Sequence, residues 1–303
     1  MSRSHLASLL VAALLIPGSA LAGDACYSFE VINVDDNLPT SWFSVNDLGN
    51  ATGNYCPVEA CADFDVVGAV LDLSDGSIDT VPNVLMPEEF GFVAEYGLNN
   101  WGTAAGYAFD FTTGTGIAYT RRADGETTVI PDLDGDIDQQ LAIGINDWGT
   151  VAGLSYYADR PPTSWTWHPW RGFRTIELSV GDAGGFAISD INNWGTVVGT
   201  VTHPDGDTQG VRKRLWRSAN TFGPKGGFVL VGGTNDWGQV VGSEFDTDTF
   251  LATPWLYHPW SGLEWLEVPD GLTDLVLEGI NNHGVVAGTG DGTFVGVIGT
   301  PCP

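Results

Sequence analysis

The sequence predicts an all-β fold, a six-bladed β-propeller of four-stranded blades that closes into a ring. Three observations lead to this prediction. A nine-residue turn recurs six times, its copies follow one another at steps of 53, 47, 46, 43 and 46 residues, and cysteines stand near both ends of the chain. Periods of this length are typical of supersecondary units that stack on copies of themselves to bury a core.

The six turns share a leading asparagine and a glycine three residues later, and they define repeats 1 to 6. They read VNDLGNATG (Val45 to Gly53), LNNWGTAAG (Leu98 to Gly106), INDWGTVAG (Ile145 to Gly153), INNWGTVVG (Ile191 to Gly199), TNDWGQVVG (Thr234 to Gly242) and INNHGVVAG (Ile280 to Gly288). An asparagine side chain bonds forward to the backbone of a tight turn, and glycine supplies the positive φ that closes it. Each copy therefore predicts a β-hairpin corner, flanked in repeat 4 by strands at Phe186–Ser189 and Thr196–Val201.

Two further strands fit within each period. Thr163–Leu178 and Thr253–Val268 each contain two alternating runs around a Pro/Gly turn, with Trp165 equivalent to Trp255. Weaker versions occur around Val70–Val81, Ala118–Ile130 and Leu215–Leu230. Four short strands per repeat predict one propeller blade for each turn.

The chain ends predict how the ring closes. Only two strands follow the sixth turn, while a spare strand, CYSFEVIN, begins at Cys26 before the first turn. If the spare strand pairs with the last blade, no sheet edge stays open, and Cys26 would meet Cys302 at that seam. Cys56 and Cys61 would then staple a local loop, although four cysteines permit other pairings. A parallel β-helix or solenoid is the alternative, but it would leave the chain ends far apart.

The first 22 residues have the pattern of a secretory signal peptide. A basic Arg3 precedes an apolar run from Leu6 to Ile16, and small residues end at Ala22. The apolar run is shorter than the roughly 20 residues that span a bilayer. We therefore predict a secreted, extracellular or periplasmic protein with one six-repeat domain over residues 23–303 and no membrane span.

The composition limits the class of partner. The formal net charge is −27, with 38 acidic and 11 basic residues. This charge repels nucleic acid and anionic membrane surfaces and favours cations or basic partners. Simple solubility is the alternative explanation of the acidic surface.

The repeated motif I-N-x-x-G-x-V-V-G resembles that of the bacterial extracellular HAF-repeat family, over nearly the whole mature chain. The resemblance implies secretion and a repeat fold, with no activity to carry over. That family is named for a His-Ala-Phe triad at the start of the following aromatic strand. Here those places hold Thr163-Ser164-Trp165 and Thr253-Pro254-Trp255, so the triad is absent.

The candidate ligand-binding feature is the third position of each turn, counted from the leading asparagine. It carries Trp101, Trp148, Trp194 and Trp237 in four consecutive repeats, where the turn itself needs only a tolerant residue. If the first strand of each repeat lines the axis, these side chains ring one mouth of a channel and can stack on sugars or other flat ligands. Asp147 and Asp236 would make this mouth acidic. Alternatively, each indole folds onto the neighbouring blade and seals it.

One acidic loop is a candidate calcium site, and no other cofactor is predicted. Carboxylates at Asp132, Asp134, Asp136 and Asp138 alternate along the chain, an arrangement that can gather oxygen ligands around Ca²⁺. An EF-hand would need glycine and glutamate where Ile137 and Ile143 stand. A solvated acidic loop is the alternative.

The sequence predicts no catalytic residues. It lacks a G-x-S-x-G elbow, an H-E-x-x-H pair, a phosphate-binding loop and a reactive-cysteine context. We therefore expect a non-enzymatic binding or interaction module, for glycans or an extracellular protein partner. Two alternatives stay open: a carbohydrate-active enzyme, either a glycoside hydrolase or a lyase, with carboxylates at the channel mouth, and a purely structural extracellular protein.

Overall fold

The structure is a computed structural model that describes residues 26–35, 38–57, 66–81, 91–110, 113–135, 137–178, 185–214, 217–292 and 295–303. These residues form β-strands and loops and contain no helix. Accordingly, no described segment is a helix that could cross a bilayer. The signal-peptide prediction falls on residues outside these ranges.

The strands follow the repeats in chain order. Their bounds are β1 (Tyr27–Val31), β2 (Thr40–Val45), β3 (Asn50–Tyr55), β4 (Val67–Asp72), β5 (Ile78–Val81), β6 (Gly91–Leu98), β7 (Ala104–Asp110), β8 (Thr115–Arg121), β9 (Thr127–Val129), β10 (Gln139–Ile145), β11 (Val151–Tyr156), β12 (Thr163–His168), β13 (Gly172–Thr175), β14 (Gly185–Ile191), β15 (Thr196–Thr202), β16 (Thr208–Arg214), β17 (Ala219–Gly226), β18 (Phe228–Thr234), β19 (Val240–Phe245), β20 (Ala252–His258), β21 (Gly262–Trp265), β22 (Leu275–Ile280), β23 (Val286–Gly290) and β24 (Val295–Pro301).

These strands lie in five sheets. Four sheets have four strands each: β2 to β5, β14 to β17, β18 to β21, and β22 to β24 with β1. The fifth contains β6 to β13, and the pairing of Gln139 with Gly116 joins its two four-stranded halves. Repeats 1 to 5 thus each supply four antiparallel strands in sequence order, and repeat 6 supplies three, to which β1 adds the fourth.

The first strands of the six repeats contact one another in a closed cycle. β2 contacts β6, β6 contacts β10, and the contacts continue through β14, β18 and β22 back to β2. Glycines allow this approach: a Cβ at Gly97 would lie 2.8 Å from the Cα of Gly144, and one at Gly233 would lie 2.9 Å from the Cα of Gly279. The first strands are therefore the innermost strands of the molecule.

The spare strand closes the seam between the chain ends. β1 pairs antiparallel with β24, from Tyr27 opposite Pro301 to Val31 opposite Val297. A disulfide joins Cys26 to Cys302, with their Cα atoms 5.3 Å apart. Both predictions for the chain ends are confirmed. Cys56 also forms a disulfide, whereas Cys61, its predicted partner, lies outside the described residues.

The core lies between the strands of neighbouring repeats. Trp42, Trp165 and Trp255 are fully buried there, together with aliphatic side chains from the strands on either side. Trp165 and Trp255 occupy the equivalent places that the sequence assigns to them, one in repeat 3 and one in repeat 5. Burial of these large rings between repeats contributes to the hydrophobic stabilisation.

Candidate binding site

The leading asparagines link the six turns into a closed ring. The Nδ2 of each donates to the backbone oxygen of the leading asparagine in the next repeat. The donor-to-acceptor distances are 3.1 Å (Asn46 to Asn99), 3.2 Å (Asn99 to Asn146), 3.1 Å (Asn146 to Asn192), 2.9 Å (Asn192 to Asn235), 3.0 Å (Asn235 to Asn281) and 2.9 Å (Asn281 to Asn46). The last bond joins repeat 6 to repeat 1, so the ring has no break.

The same asparagines also shape their own turns. In repeat 4, the Oδ1 of Asn192 accepts from the backbone N–H of Trp194 at 3.1 Å and of Thr196 at 3.0 Å. The glycine three residues after the asparagine has a positive φ in every copy, from 69° at Gly195 to 81° at Gly49. The predicted turn geometry is confirmed. Because the position needs a donor and an acceptor at once, an aspartate could not replace the asparagine.

The second turn position forms another ring, in which carboxylates and carboxamides alternate. Its members are Asp47, Asn100, Asp147, Asn193, Asp236 and Asn282. The Oδ2 of each aspartate accepts from both neighbouring amides, for example at 2.9 Å from Asn100 and 2.8 Å from Asn193 to Asp147. The amide of Asn282 reaches Asp47 at 2.9 Å, which closes this ring too.

Sequence reasoning singled out Asp147 and Asp236 but missed Asp47 and the three asparagines. The signal was available, because the second position alternates Asp and Asn through all six copies. Only an even number of repeats lets such an alternation close without placing two like groups side by side. The ring encloses a hollow of about 70 Å³.

The tryptophans at the third position lie around this ring and are largely exposed. Trp101 is 74% exposed, Trp148 72%, Trp194 64% and Trp237 61%. The Nε1 atoms of Trp101, Trp148 and Trp237 each donate, at 3.0 Å, to a backbone oxygen in the next turn. Each of these indoles thus contacts its neighbour by an edge while most of the side chain meets solvent.

Two more exposed tryptophans lie on the same end of the molecule. The His168 ring lies 3.1 Å from the backbone oxygen of Trp148, which places the β12–β13 hairpin and its Trp170 beside the turn of repeat 3. Trp260 lies in the equivalent hairpin of repeat 5. Their exposed fractions are 91% and 76%. We call Trp101, Trp148, Trp170, Trp194, Trp237 and Trp260 the tryptophan face.

The acidic loop is differently arranged from the calcium site that its sequence suggests. Asp134 forms an ion pair with Arg160 and accepts a hydrogen bond from Tyr157 at 3.3 Å. Among the residues that the structure describes, no group of three or more potential metal ligands comes together. Asp136 lies outside those residues, and calcium binding through Asp132, Asp134, Asp136 and Asp138 stays a prediction.

A larger cavity, of about 1090 Å³, lies along the innermost strands below the turn ring. Ser44, Asp190 and Ile280 line both this cavity and the hollow of the ring. The cavity extends to Phe228, at the start of β18, and so to the end of the molecule opposite the tryptophan face. Sequence reasoning did not identify it, because its lining comes from all six repeats.

Comparison with known proteins identifies the fold type. No protein-family model and no curated protein matches the chain. Among solved structures, TolB from Acinetobacter baumannii has a TM-score of 0.55 at 14% identity, over 84% of this chain and 64% of TolB, less than two thirds of its length. A catalytically inactive virginiamycin B lyase from Staphylococcus aureus with quinupristin has a TM-score of 0.54 at 9% identity, over 91% and 100% of the chains.

A lectin also has this fold. SapL1, solved with α-methyl fucoside, has a TM-score of 0.56 at 12% identity and is matched over 88% of its chain and 84% of this one. Identities this low establish fold alone. The chain therefore has an all-β, propeller-like fold, which both binding proteins and enzymes use.

Proposed function

We propose that this protein is an exported six-bladed β-propeller that binds neutral glycans on its tryptophan face. In this proposal each repeat is one blade, and β1 completes the sixth. The closed cycle of asparagine bonds and the alternation of carboxylate with carboxamide support six-fold closure. The chain-end disulfide agrees with an oxidising compartment outside the cytoplasm. The repeat motif supports membership of the HAF-repeat family.

The observation that carries the binding role is the exposure of six tryptophans on one end of the molecule. Tryptophan is usually mostly buried, and an apolar patch of this kind on a folded protein marks an interaction surface. The most exposed of the six, Trp170, is 91% accessible, so burial within the chain does not explain its presence. These side chains are therefore available to a partner.

The contacts of the face favour a flat, uncharged partner. Three of the indole N–H groups are already bonded to neighbouring turns, which leaves the ring surfaces for binding. Pyranose rings present apolar C–H faces that stack on such surfaces. Asp47, Asp147 and Asp236 lie at the centre, and the net charge of −27 repels anionic polysaccharides.

Binding is tested with a panel of neutral and anionic oligosaccharides, by calorimetry and by analysis of the sugars after incubation. We expect intact neutral glycans to bind and Trp148→Ala or Trp194→Ala to weaken that binding about tenfold. Trp265→Ala is the matched control, since Trp265 is 43% exposed on β21, outside the tryptophan face.

Two results contradict the proposal. Cleaved products would instead support a carbohydrate-active enzyme. If no glycan binds and Trp148→Ala lowers only the melting temperature, the protein is a structural one.

A further inference from the structure

A second site lies in the axial cavity and is formed by a distortion common to all six innermost strands. Each strand has a β-bulge a few residues before its turn, where the pairing register shifts. One bulge residue of each repeat lines the cavity, namely Phe43, Tyr96, Ile143, Ser189, Gly232 and Glu278. A bulge re-aims a side chain out of the regular alternation, which explains why these residues reach the axis.

Three carboxyl groups line this cavity: Asp190 and Glu278 on the innermost strands, and Glu177, which is exposed. Glu278 is the bulge residue of repeat 6, and Asp190 follows the bulge of repeat 4. Between their two strands lies β18 of repeat 5, which lines the cavity with Gly232 at its bulge and with apolar residues such as Phe228 and Leu230. Asp190 and Glu278 therefore lie on either side of a strand that brings no charge to the cavity.

The two groups differ in how they are satisfied. Asp190 accepts from the backbone N–H of Ile191 at 2.7 Å and of Thr234 at 2.8 Å. Within the described part of the chain, no donor bonds the Glu278 carboxyl. Burial raises the pKa of both groups to about 7, and Asp236 adds to the effect on Asp190. An unpartnered carboxylate in such a place costs free energy until a cation compensates it.

The rest of the lining combines aromatic and aliphatic side chains with serine and threonine hydroxyls, and among its described residues none is basic. Phe43 and Tyr96 stack with their ring centroids 4.5 Å apart. Tyr156 and Phe228 provide further aromatic surface. Aromatic faces attract organic cations, and a cavity of this size holds a small organic molecule.

We propose that the axial cavity binds an organic cation, an ammonium or guanidinium group on an apolar body, with its charge between Asp190 and Glu278. The carboxylates neutralise the charge, and the aromatic wall contacts the apolar body. The acidic field of the whole protein attracts such a ligand from solution. This site is separate from the tryptophan face and does not depend on the glycan proposal.

The test uses benzyltrimethylammonium, whose charge does not titrate, and benzyl alcohol as the neutral comparator, measured by calorimetry on the full mature protein. We expect the cation to bind and the alcohol to bind at least about tenfold more weakly. Glu278→Gln and Asp190→Asn should each weaken cation binding about tenfold or more. Thermal melting confirms that each variant is folded.

Glu267→Gln is the matched control, because Glu267 is exposed and does not line the cavity. It should leave cation binding unchanged, as should Trp148→Ala. Equal binding of the alcohol, no binding of the cation, or unchanged affinity in Glu278→Gln would overturn the proposal. Loss of cation binding in Trp148→Ala alone would place the cation on the tryptophan face and would also overturn it.

Discussion

At the scale of single residues, the turn asparagines show how one side chain specifies both local and ring geometry. The Oδ1 of Asn192 accepts a hydrogen bond within its own turn, from the backbone N–H of Trp194. Its Nδ2 donates to the backbone oxygen of Asn235 in the next repeat, at 2.9 Å. The first role could be predicted from turn chemistry alone. The second could not, because it requires knowing which repeats are neighbours in space.

Asp147→Asn tests the alternating ring. The Oδ1 of Asp147 accepts from the backbone N–H of Asn100 at 2.8 Å, and its Oδ2 accepts from two amides. If the new asparagine kept the hydrogen bond from the backbone N–H of Asn100, its own NH₂ group would face the amide N–H groups of Asn100 and Asn193, and those donors would lose their acceptor. We therefore expect a loss of about 1–3 kcal/mol in the free energy of unfolding of Asp147→Asn.

Urea unfolding measures this loss against Asp159→Asn, which removes a charge from an exposed site. Removing an acid from a chain of net charge −27 should otherwise reduce self-repulsion. Equal stability of the two variants would show that the alternation has no energetic role.

Glu278 makes stability depend on pH. Its pKa is raised by burial from 4.5 to about 7 in the folded protein, so between these values the folded state binds a proton that the unfolded state has released. The contribution of Glu278 to stability is therefore full at low pH and is lost as pH rises towards 7.

Glu278→Gln removes this dependence. Relative to wild type, its free energy of unfolding should rise by about 1–3 kcal/mol from pH 5 to pH 8, measured by urea titration at both values. A difference that stays constant with pH would indicate that the Glu278 pKa is not raised.

At the scale of structural elements, the hairpins followed the sequence closely while the bulges did not. Phe186–Ser189 and Thr196–Val201 fall within β14 and β15 as predicted. The bulge at Ser189 interrupts the two-residue alternation of inward and outward side chains, and no glycine or proline marks its position in the sequence. The cavity lining, including Asp190 and Glu278, could therefore not be predicted from the sequence pattern, because it depends on where the six bulges lie in space.

The glycine at the end of each nine-residue copy lies on the second strand of its hairpin. A Cβ at Gly199 would lie 2.1 Å from the backbone oxygen of Ala187 and 2.8 Å from the ring of Phe186. The following strand thus passes too close to the innermost strand for any side chain.

Gly199→Ala should lower the free energy of unfolding by about 1–3 kcal/mol through this overlap. Gly185→Ala is the comparison, since a Cβ at Gly185 has no atom within 4 Å. Chemical unfolding measures the stabilities of Gly199→Ala and Gly185→Ala. Similar stabilities would contradict the close approach of the two strands at Gly199.

At the scale of the whole molecule, strand pairing joins the two ends of the chain. β1 pairs with β24, the Tyr27 hydroxyl donates to the Gly284 backbone oxygen at 3.0 Å, and the disulfide spans 276 residues. This pairing could be predicted from the sequence, because repeat 6 lacks one strand and one extra strand precedes repeat 1.

Replacing Cys26 and Cys302 together with serine should cost about 2–5 kcal/mol, because a link across so long a chain restricts the unfolded state strongly. The β1–β24 pairing remains in the variant, so it should still fold. Thermal and urea unfolding measure the loss, and a variant as stable as wild type would contradict a closing role for the disulfide.

The central claim, that glycans bind on the tryptophan face, is tested most directly by following the indole N–H signals of the ¹⁵N-labelled protein during titration with a neutral oligosaccharide. We expect shifts at the indoles of Trp101, Trp148, Trp194 and Trp237, and no shifts at Trp42, Trp165 and Trp255 in the core. Shifts confined to signals outside the tryptophan face, or no shifts at saturating glycan, would contradict it.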